Sequence, residues 1–125
     1  DYCGEYKNKE TLEMGLTWLD SVRESEAAQA YARNPHELVR ILECYSRLTA
    51  GEVMMRASLE REASSRDLGF NRLDHQQSDP PEWTKLITLR LKGGEMKRGE
   101  HPVDYYLRAP YASDFEENYR RHCGL

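Results

Sequence analysis

Four histidines and three cysteines are the side chains most able to hold a metal or to act as nucleophile or base: His36, His75, His101, His122, Cys3, Cys44 and Cys123. A helical metal site needs spacings such as H-x-x-x-H or H-E-x-x-H, because residues i and i+4 share a face, and neither spacing occurs. His122 and Cys123 are adjacent, which sends them to diverging sides of a helix end. No C-x-x-C pair and no G-x-S-x-G nucleophile elbow is present, and a Cys-His couple would have to be assembled from distant segments. Gly93-Gly94 lies between two strand-like runs rather than before a helix, so it reads as a turn and not as a phosphate loop. No catalytic, cofactor-binding or metal residue is assigned from these patterns.

Arginine supplies the remaining chemistry. Arg56 and Arg61 are interleaved with Glu60 and Glu62, the pattern of a solvated helix face with weak ion pairs. Arg66 and Arg72 lie past that helix, in SSRDLGFNRLDHQQSDPPEWT, a segment with no hydrophobic period of its own. Two readings stand for them: solvated charges, or exposed planar guanidiniums that fork onto carboxylates or carbonyls of a partner surface. Trp83 follows Pro80-Pro81-Glu82, which predicts an extended approach. It is expected to plug a junction between a hairpin and the helices, with its indole N–H seeking a carbonyl.

The elements that position these residues can be read from period and caps. Asn8 precedes a helical stripe of Leu12, Leu16, Leu19 and Val22 or Arg23, with Met14 and Trp18 beside it; the pattern continues through AAQAYA or restarts at Ser25-Glu26 after a bend. In RNPHE, Asn34 is an N-cap, Pro35 suits the first helical position and Glu37 the reciprocal capping position. The helix behind it keeps Leu38, Leu42, Tyr45, Leu48, Val53 or Glu52, Met55 and Leu59 close to a 3.6 period. Gly51 costs about 1 kcal/mol against Ala inside such a helix. That cost predicts close approach of a neighbouring backbone, with the first helix packed antiparallel as the simplest partner. Ile87, Leu89 and Leu91 alternate along a strand, Gly93-Gly94 supplies a tight turn, and Glu95 to Arg98 returns as the second strand. VDYYLRAPYA reads as an extended aromatic strap, and SDFEENYRRH as a short helix with a capping box from Ser113 to Glu116.

The expected fold is mainly α: an antiparallel long-helix bundle of two to three helices with a small β-hairpin and an extended C-terminal tail. The 125 residues read as a single domain. Residues 1–65 form the helical bundle, 66–83 a docking strap, 84–101 the hairpin and 102–125 the tail with its short helix. The opening DYCGEYKNKE without a starting Met is expected of a piece cut from a longer polypeptide or of a processed product, with the piece as the favoured reading. A net charge of -4 gives no basic field for nucleic acid, and no apolar run reaches the roughly 20 residues that span a bilayer. The widely spaced, odd set of cysteines fits reduced thiols in a cytoplasmic setting.

The succession HELVRILECYSRLTAGEVMMRASLERE, SSRDLGFNRLDHQQSDPPEW and KLITLRLKGGEMK resembles the C-terminal helical domain of the succinate dehydrogenase and fumarate reductase flavoprotein superfamily. Within it, the adenylylsulfate reductase alpha subunit and its relatives are the most similar group. Glu62, Arg66, Phe70, Arg72, Asp74, Asp79 and Trp83 stand at matching places, and DYCGEYKNKETLEMGLTWL resembles the start of the same domain. Asp67-Leu68-Gly69 replaces the usual Gly-Ala-His after the first arginine, and one more residue separates the two arginines. No histidine role is carried over.

The resemblance implies part of an FAD-dependent oxidoreductase, without catalytic activity in this fragment alone. FAD is implied for the full-length protein, bound in a separate domain, with none in this fragment. The implied partners are the flavin-binding and capping domains of the parent chain and an iron-sulfur subunit. Arg66, Phe70, Arg72, Asp79 and Trp83 are the candidate interface residues, on a strap that docks the helices onto the catalytic body. A free-standing helical protein–protein interaction module is the other reading, carried by an aromatic tail of Tyr105, Tyr106, Tyr111, Phe115 and Tyr119.

Overall fold

Asn8 is an N-cap in extended conformation (φ -137°), and its side chain accepts a hydrogen bond from the backbone N–H of Thr11 while Thr11 Oγ1 accepts one from the N–H of Asn8. This reciprocal pair satisfies two of the N–H groups that a helix start leaves open. It begins α1, Lys9–Glu24, in a computed structural model that describes residues 2–105, 114, 116, 117, 119 and 120. α1 ends where the N–H and the hydroxyl of Ser25 both return to the Ser21 carbonyl. One turn of 3-10 helix, Ala27–Gln29, follows, so the helical pattern neither continues nor restarts as an α-helix.

α2 spans Pro35–Glu60 behind the Asn34 cap, whose side chain accepts from the Glu37 N–H at 2.9 Å. Glu37 reaches back one residue further than the sequence suggests: its carboxylate accepts from the N–H and the guanidinium of Arg33. Those bonds, the guanidinium's foremost, hold the Glu37 carboxyl below its usual range.

Leu12 is fully buried and Met55 nearly so, and with Ala63 they are the buried apolar side chains among the described residues. Complete burial of a Leu is worth roughly 2 kcal/mol. The helices also meet through polar groups. Glu52 accepts from Arg23 of α1 and from Arg56 of its own helix, both at 2.9 Å, and Tyr45 donates its hydroxyl to the Ala27 carbonyl at 2.7 Å. The two arginines, Arg56 foremost, keep the Glu52 carboxyl ionised below its usual range.

The tight glycine lies in the other helix from the one expected. A Cβ on Gly51 would meet only Leu19 Cδ1 at 3.6 Å, an ordinary contact. A Cβ on Gly15 would stand 2.5 Å from Met55 Sδ and 2.6 Å from Tyr2 Cβ. The opening residues, not a helix-to-helix backbone approach, therefore demand a glycine.

Among the described residues two strand pairs join the helices. β1, Tyr6–Lys7, runs parallel to β2, Asn71–Arg72, a pairing with no sequence signal because each strand has only two residues. β3, Lys85–Lys92, and β4, Glu95–Pro102, form the antiparallel hairpin, with Gly93 (φ 62°) and Gly94 (φ 83°) at its turn. Both turn positions require the left-handed backbone that glycine adopts without a steric cost. The second strand is longer than expected because every residue from Glu95 to Pro102 finds a partner.

The chain divides into two compact units, Asp1–Pro80 and Pro81–Leu125, so the boundary falls inside the segment read as one docking strap. In the second unit Glu116, Glu117, Tyr119 and Arg120 are helical, with Arg120 3.6 Å from Glu116. Ser113 of the expected capping box, and Tyr106, Tyr111 and Phe115 of the aromatic tail, lie outside the described residues.

Candidate functional site

The strap after α2 is built around Ser64. Its N–H donates to the Gln77 carbonyl and its own carbonyl accepts from the Asp79 N–H, at 3.2 and 2.9 Å. Its hydroxyl donates to the His75 carbonyl at 2.7 Å and accepts the Arg72 N–H at 2.9 Å. A buried serine that satisfies both sides of a loop in this way substitutes for regular secondary structure. Ser65 and Phe70 exchange backbone hydrogen bonds, which closes the turn carrying Arg66 to Gly69.

Arg72 sits inside this frame. Its residue surface is 2% exposed, so the guanidinium is not the outward fork that the sequence suggested. Nη1 donates to the carbonyls of Ser58, Leu59 and Arg61, at the end of α2, where the last carbonyls lack intrahelical partners. Nε and Nη2 bind the two oxygens of Asp74 at 2.8 and 2.7 Å. Asp74 in turn accepts the backbone N–H of Lys9 at 3.0 Å, at the start of α1. Cation and anion thus meet the negative end of one helix dipole and the positive end of the other. The Arg72 hydrogen bonds are the main reason the Asp74 carboxyl lies far below its usual range; burial opposes them and the Lys9 N–H assists.

The other candidate interface residues have different surroundings. Arg66 is exposed, and its N–H is held by Asp79 Oδ2 at 3.0 Å. Asp79 adopts φ 48°, a strained position for a non-glycine residue, and its carboxyl is lowered chiefly by Ser65 and then by the Arg66 N–H. Phe70 is half-buried, with Lys7 Nζ 4.2 Å and the Arg61 guanidinium 5.9 Å from its ring centre. Arg61 therefore stacks on an aromatic face instead of lying on a solvated helix stripe, whereas Arg56 pairs with Glu52 as a helix-surface charge. Trp83 belongs to the second unit, with Lys85 Nζ 4.5 Å and the Arg98 guanidinium 5.9 Å from its ring. Its approach is a single turn of 3-10 helix, Pro81–Trp83, closed by Thr84 N–H to the Pro81 carbonyl, and not an extended run. The fixed φ of Pro81 suits a first helical position, which outweighs the extended bias on Pro80 before it.

Each described histidine has its own local setting. His36 is in the first turn of α2, the His75 backbone serves Ser64, and the His101 ring is tilted against Tyr105 at 5.9 Å; His122 is outside the described residues. Among the described residues no three His, Cys, Asp or Glu side chains cluster as a metal site, and no helix is long and apolar enough to cross a membrane.

A long apolar stripe remains on α2. Leu38, Leu42, Tyr45 and Val53 follow helical spacing, and all four are exposed, as are Val39 and Met54 alongside them. Leu42, Tyr45, Ser46, Thr49, Ala50, Val53 and Met54 line an open groove of about 690 Å³.

Residues 1–115 match the family described as fumarate reductase flavoprotein C-term. The chain belongs to that family. It is therefore a C-terminal domain of the fumarate reductase and succinate dehydrogenase flavoproteins. No curated protein matches the sequence. At the N-terminus of α1 Asp74 accepts the Lys9 N–H, and at α2 Asn34 caps the helix while Glu37 turns back to the Arg33 N–H. Gly93-Gly94 joins two antiparallel strands, not a strand to a helix.

Sequence reasoning missed Ser64, Gly15 and Lys7. Ser64 follows a helix end, which is a weak signal; Gly15 and Lys7 have none, since their roles depend on Tyr2 and Phe70 arriving from elsewhere in the chain.

Proposed function

We propose that this domain is the helical accessory part of an FAD-dependent oxidoreductase, docking on the flavin-binding and capping domains of a longer polypeptide and not catalytic alone. The observation that carries the reading is the exposed apolar stripe of α2, Leu38, Leu42, Tyr45 and Val53. A monomeric protein rarely leaves such a contiguous face in water, and covering it would remove about 25 cal/mol of unfavourable free energy for each Å² buried. α1 and α2 act as an antiparallel pair whose ends are tied by Arg72 and Asp74. Arg66, Phe70, Asp79 and Trp83 contribute contacts to the covering body, and Arg72 contributes by holding the strap in shape. The FAD would reside in the covering domain, and an iron-sulfur subunit would exchange electrons there. The strap spacing favours the adenylylsulfate reductase type, and the free thiols of Cys3 and Cys44 favour the cytoplasm.

The test is the visible spectrum of the full-length gene product purified without added cofactor, together with hydrogen exchange along α2. A flavin spectrum that survives gel filtration, with Leu42 to Val53 protected in the full-length protein and unprotected in the 125-residue chain, is expected. A colourless protein with an equally unprotected stripe would remove this reading and leave a free-standing interaction module.

A further inference from the structure

β3 and β4 pair with each other in a two-stranded sheet, so the outer edge of each carries backbone groups with no strand partner among the described residues. Gly93 and Gly94 both have positive φ and form a two-residue turn, which sets Lys92 and Glu95 as the first hydrogen-bonded pair. Alternation then sends the N–H and C=O groups of Lys85, Ile87, Leu89 and Leu91 outward from β3, and those of Met96, Arg98 and Glu100 outward from β4. Pro102 adds no N–H to the β4 edge, and Arg98 and Glu100 place charge there, which blunts it against further pairing. The β3 edge holds no proline and no acidic residue, and three of its four outward positions are apolar.

The two faces of the hairpin differ. Ile87, Leu89 and Leu91 form a row on one face, whereas Arg90, Lys92 and Lys97 lie near the turn on the other, all three exposed. Arg90 stands directly across from Lys97, an arrangement that is destabilising for like charges. Lys97 pairs with Glu95, but Arg90 and Lys92 make no ion pair with a described residue. Between Lys85 and His101 five Lys or Arg stand against two Asp or Glu, a local excess of positive charge in a chain where acids outnumber bases by 22 to 18. We propose that β3 is a docking edge for an extended segment of a separate protein, added as a third strand with acidic side chains over Arg90 and Lys92 and apolar ones beside Ile87, Leu89 and Leu91. Backbone pairing supplies the affinity of such a contact, and the two unlike faces select the sequence. A second copy of β3 would bring more cations to the same face, and a nucleic-acid backbone has nothing to set against the apolar row. The edge lies in the second unit and does not depend on the α2 stripe, so this inference and the docking reading can fail separately.

Two labelled synthetic peptides test it on the full-length polypeptide: one alternates Glu with Val, and the other alternates Glu with Pro, which keeps the charge but cannot pair as a strand. The Glu-Val peptide should bind, read by fluorescence anisotropy, and should slow hydrogen exchange at the N–H groups of Ile87, Leu89 and Leu91. Arg90→Glu should weaken that binding by about tenfold, and Arg90→Lys should retain it. Because Arg90→Glu sets opposite charges across from each other at the Lys97 position, a loss of binding does not reflect a weakened hairpin. Equal binding of the Glu-Pro peptide overturns strand addition, and unchanged binding by Arg90→Glu overturns the charge recognition. Absence of binding, or protection along β4 instead of β3, overturns the proposal outright. So does competition by a single-stranded oligonucleotide at equal concentration, which assigns the edge to nucleic acid. Protection of the same N–H groups that rises with protein concentration alone assigns it to a second copy and overturns the stated occupant.

Discussion

Arg72 and Asp74 grip each other through two hydrogen bonds, and each also closes the end of a different helix. Arg72 takes the carbonyls at the end of α2, and Asp74 takes the Lys9 N–H at the start of α1. Two residues of an irregular strap therefore fix which helix ends lie together, a task that apolar packing does weakly here because few apolar side chains among the described residues are buried.

Replacing Arg72 with Met should cost about 3–5 kcal/mol, because three carbonyls and a carboxylate lose their donor inside the structure. Arg72→Lys keeps the charge but not the fork, and should still cost about 2 kcal/mol. Urea denaturation followed by far-UV circular dichroism measures both. A loss under about 0.5 kcal/mol for Arg72→Met would mean that the cluster is replaceable by solvent.

Asp74 gives a pH signature. Arg72, above all, depresses its carboxyl in the folded state, so its stabilisation is complete above the unfolded value near 3.9 and is lost as pH falls toward the folded value. The stability gap between wild type and Asp74→Asn should stay constant between about pH 5 and 8 and narrow below about pH 4. A gap that widens in acid would reverse the assigned sign.

The helices, their caps and the Gly93-Gly94 turn were legible because each rests on local chemistry: Asn8, Asn34 and the glycines act on residues within a turn of themselves. The strap was not. Arg72 looked exposed because nothing in RLDHQQ announces that its guanidinium turns back by 11 to 14 residues onto α2. Asn71 and Arg72 pair with Tyr6 and Lys7, a contact between segments far apart in the chain that no period of two or 3.6 encodes. The same limit misplaced the tight glycine, since Gly15 answers to Tyr2 and Met55 and not to its own helix.

Gly15 and Gly51 should respond to alanine with opposite signs. Gly51→Ala adds a methyl at ordinary distance from Leu19 and removes helix-interior flexibility, a gain of about 0.5–1 kcal/mol. Gly15→Ala forces Tyr2 and Met55 aside and should cost about 1–3 kcal/mol. Thermal melts of the two variants, read side by side, check the assignment; equal shifts would contradict it.

The α2 stripe yields the last test. Leu42 and Met54 are 56% and 61% exposed, so Leu42→Glu and Met54→Glu remove little buried area and should change the stability of the 125-residue chain by less than about 0.5 kcal/mol. The same changes should improve its solubility, because they break an apolar face that would otherwise join copies of the chain. In the full-length polypeptide the outcome should invert: a charge placed against the covering domain has no counter-ion and should cost several kcal/mol of docking. Sedimentation of the chain and protease resistance of the full-length protein read the two effects separately. If both substitutions are neutral in both contexts, α2 is not the covered face, and the strap alone must hold the domain in place.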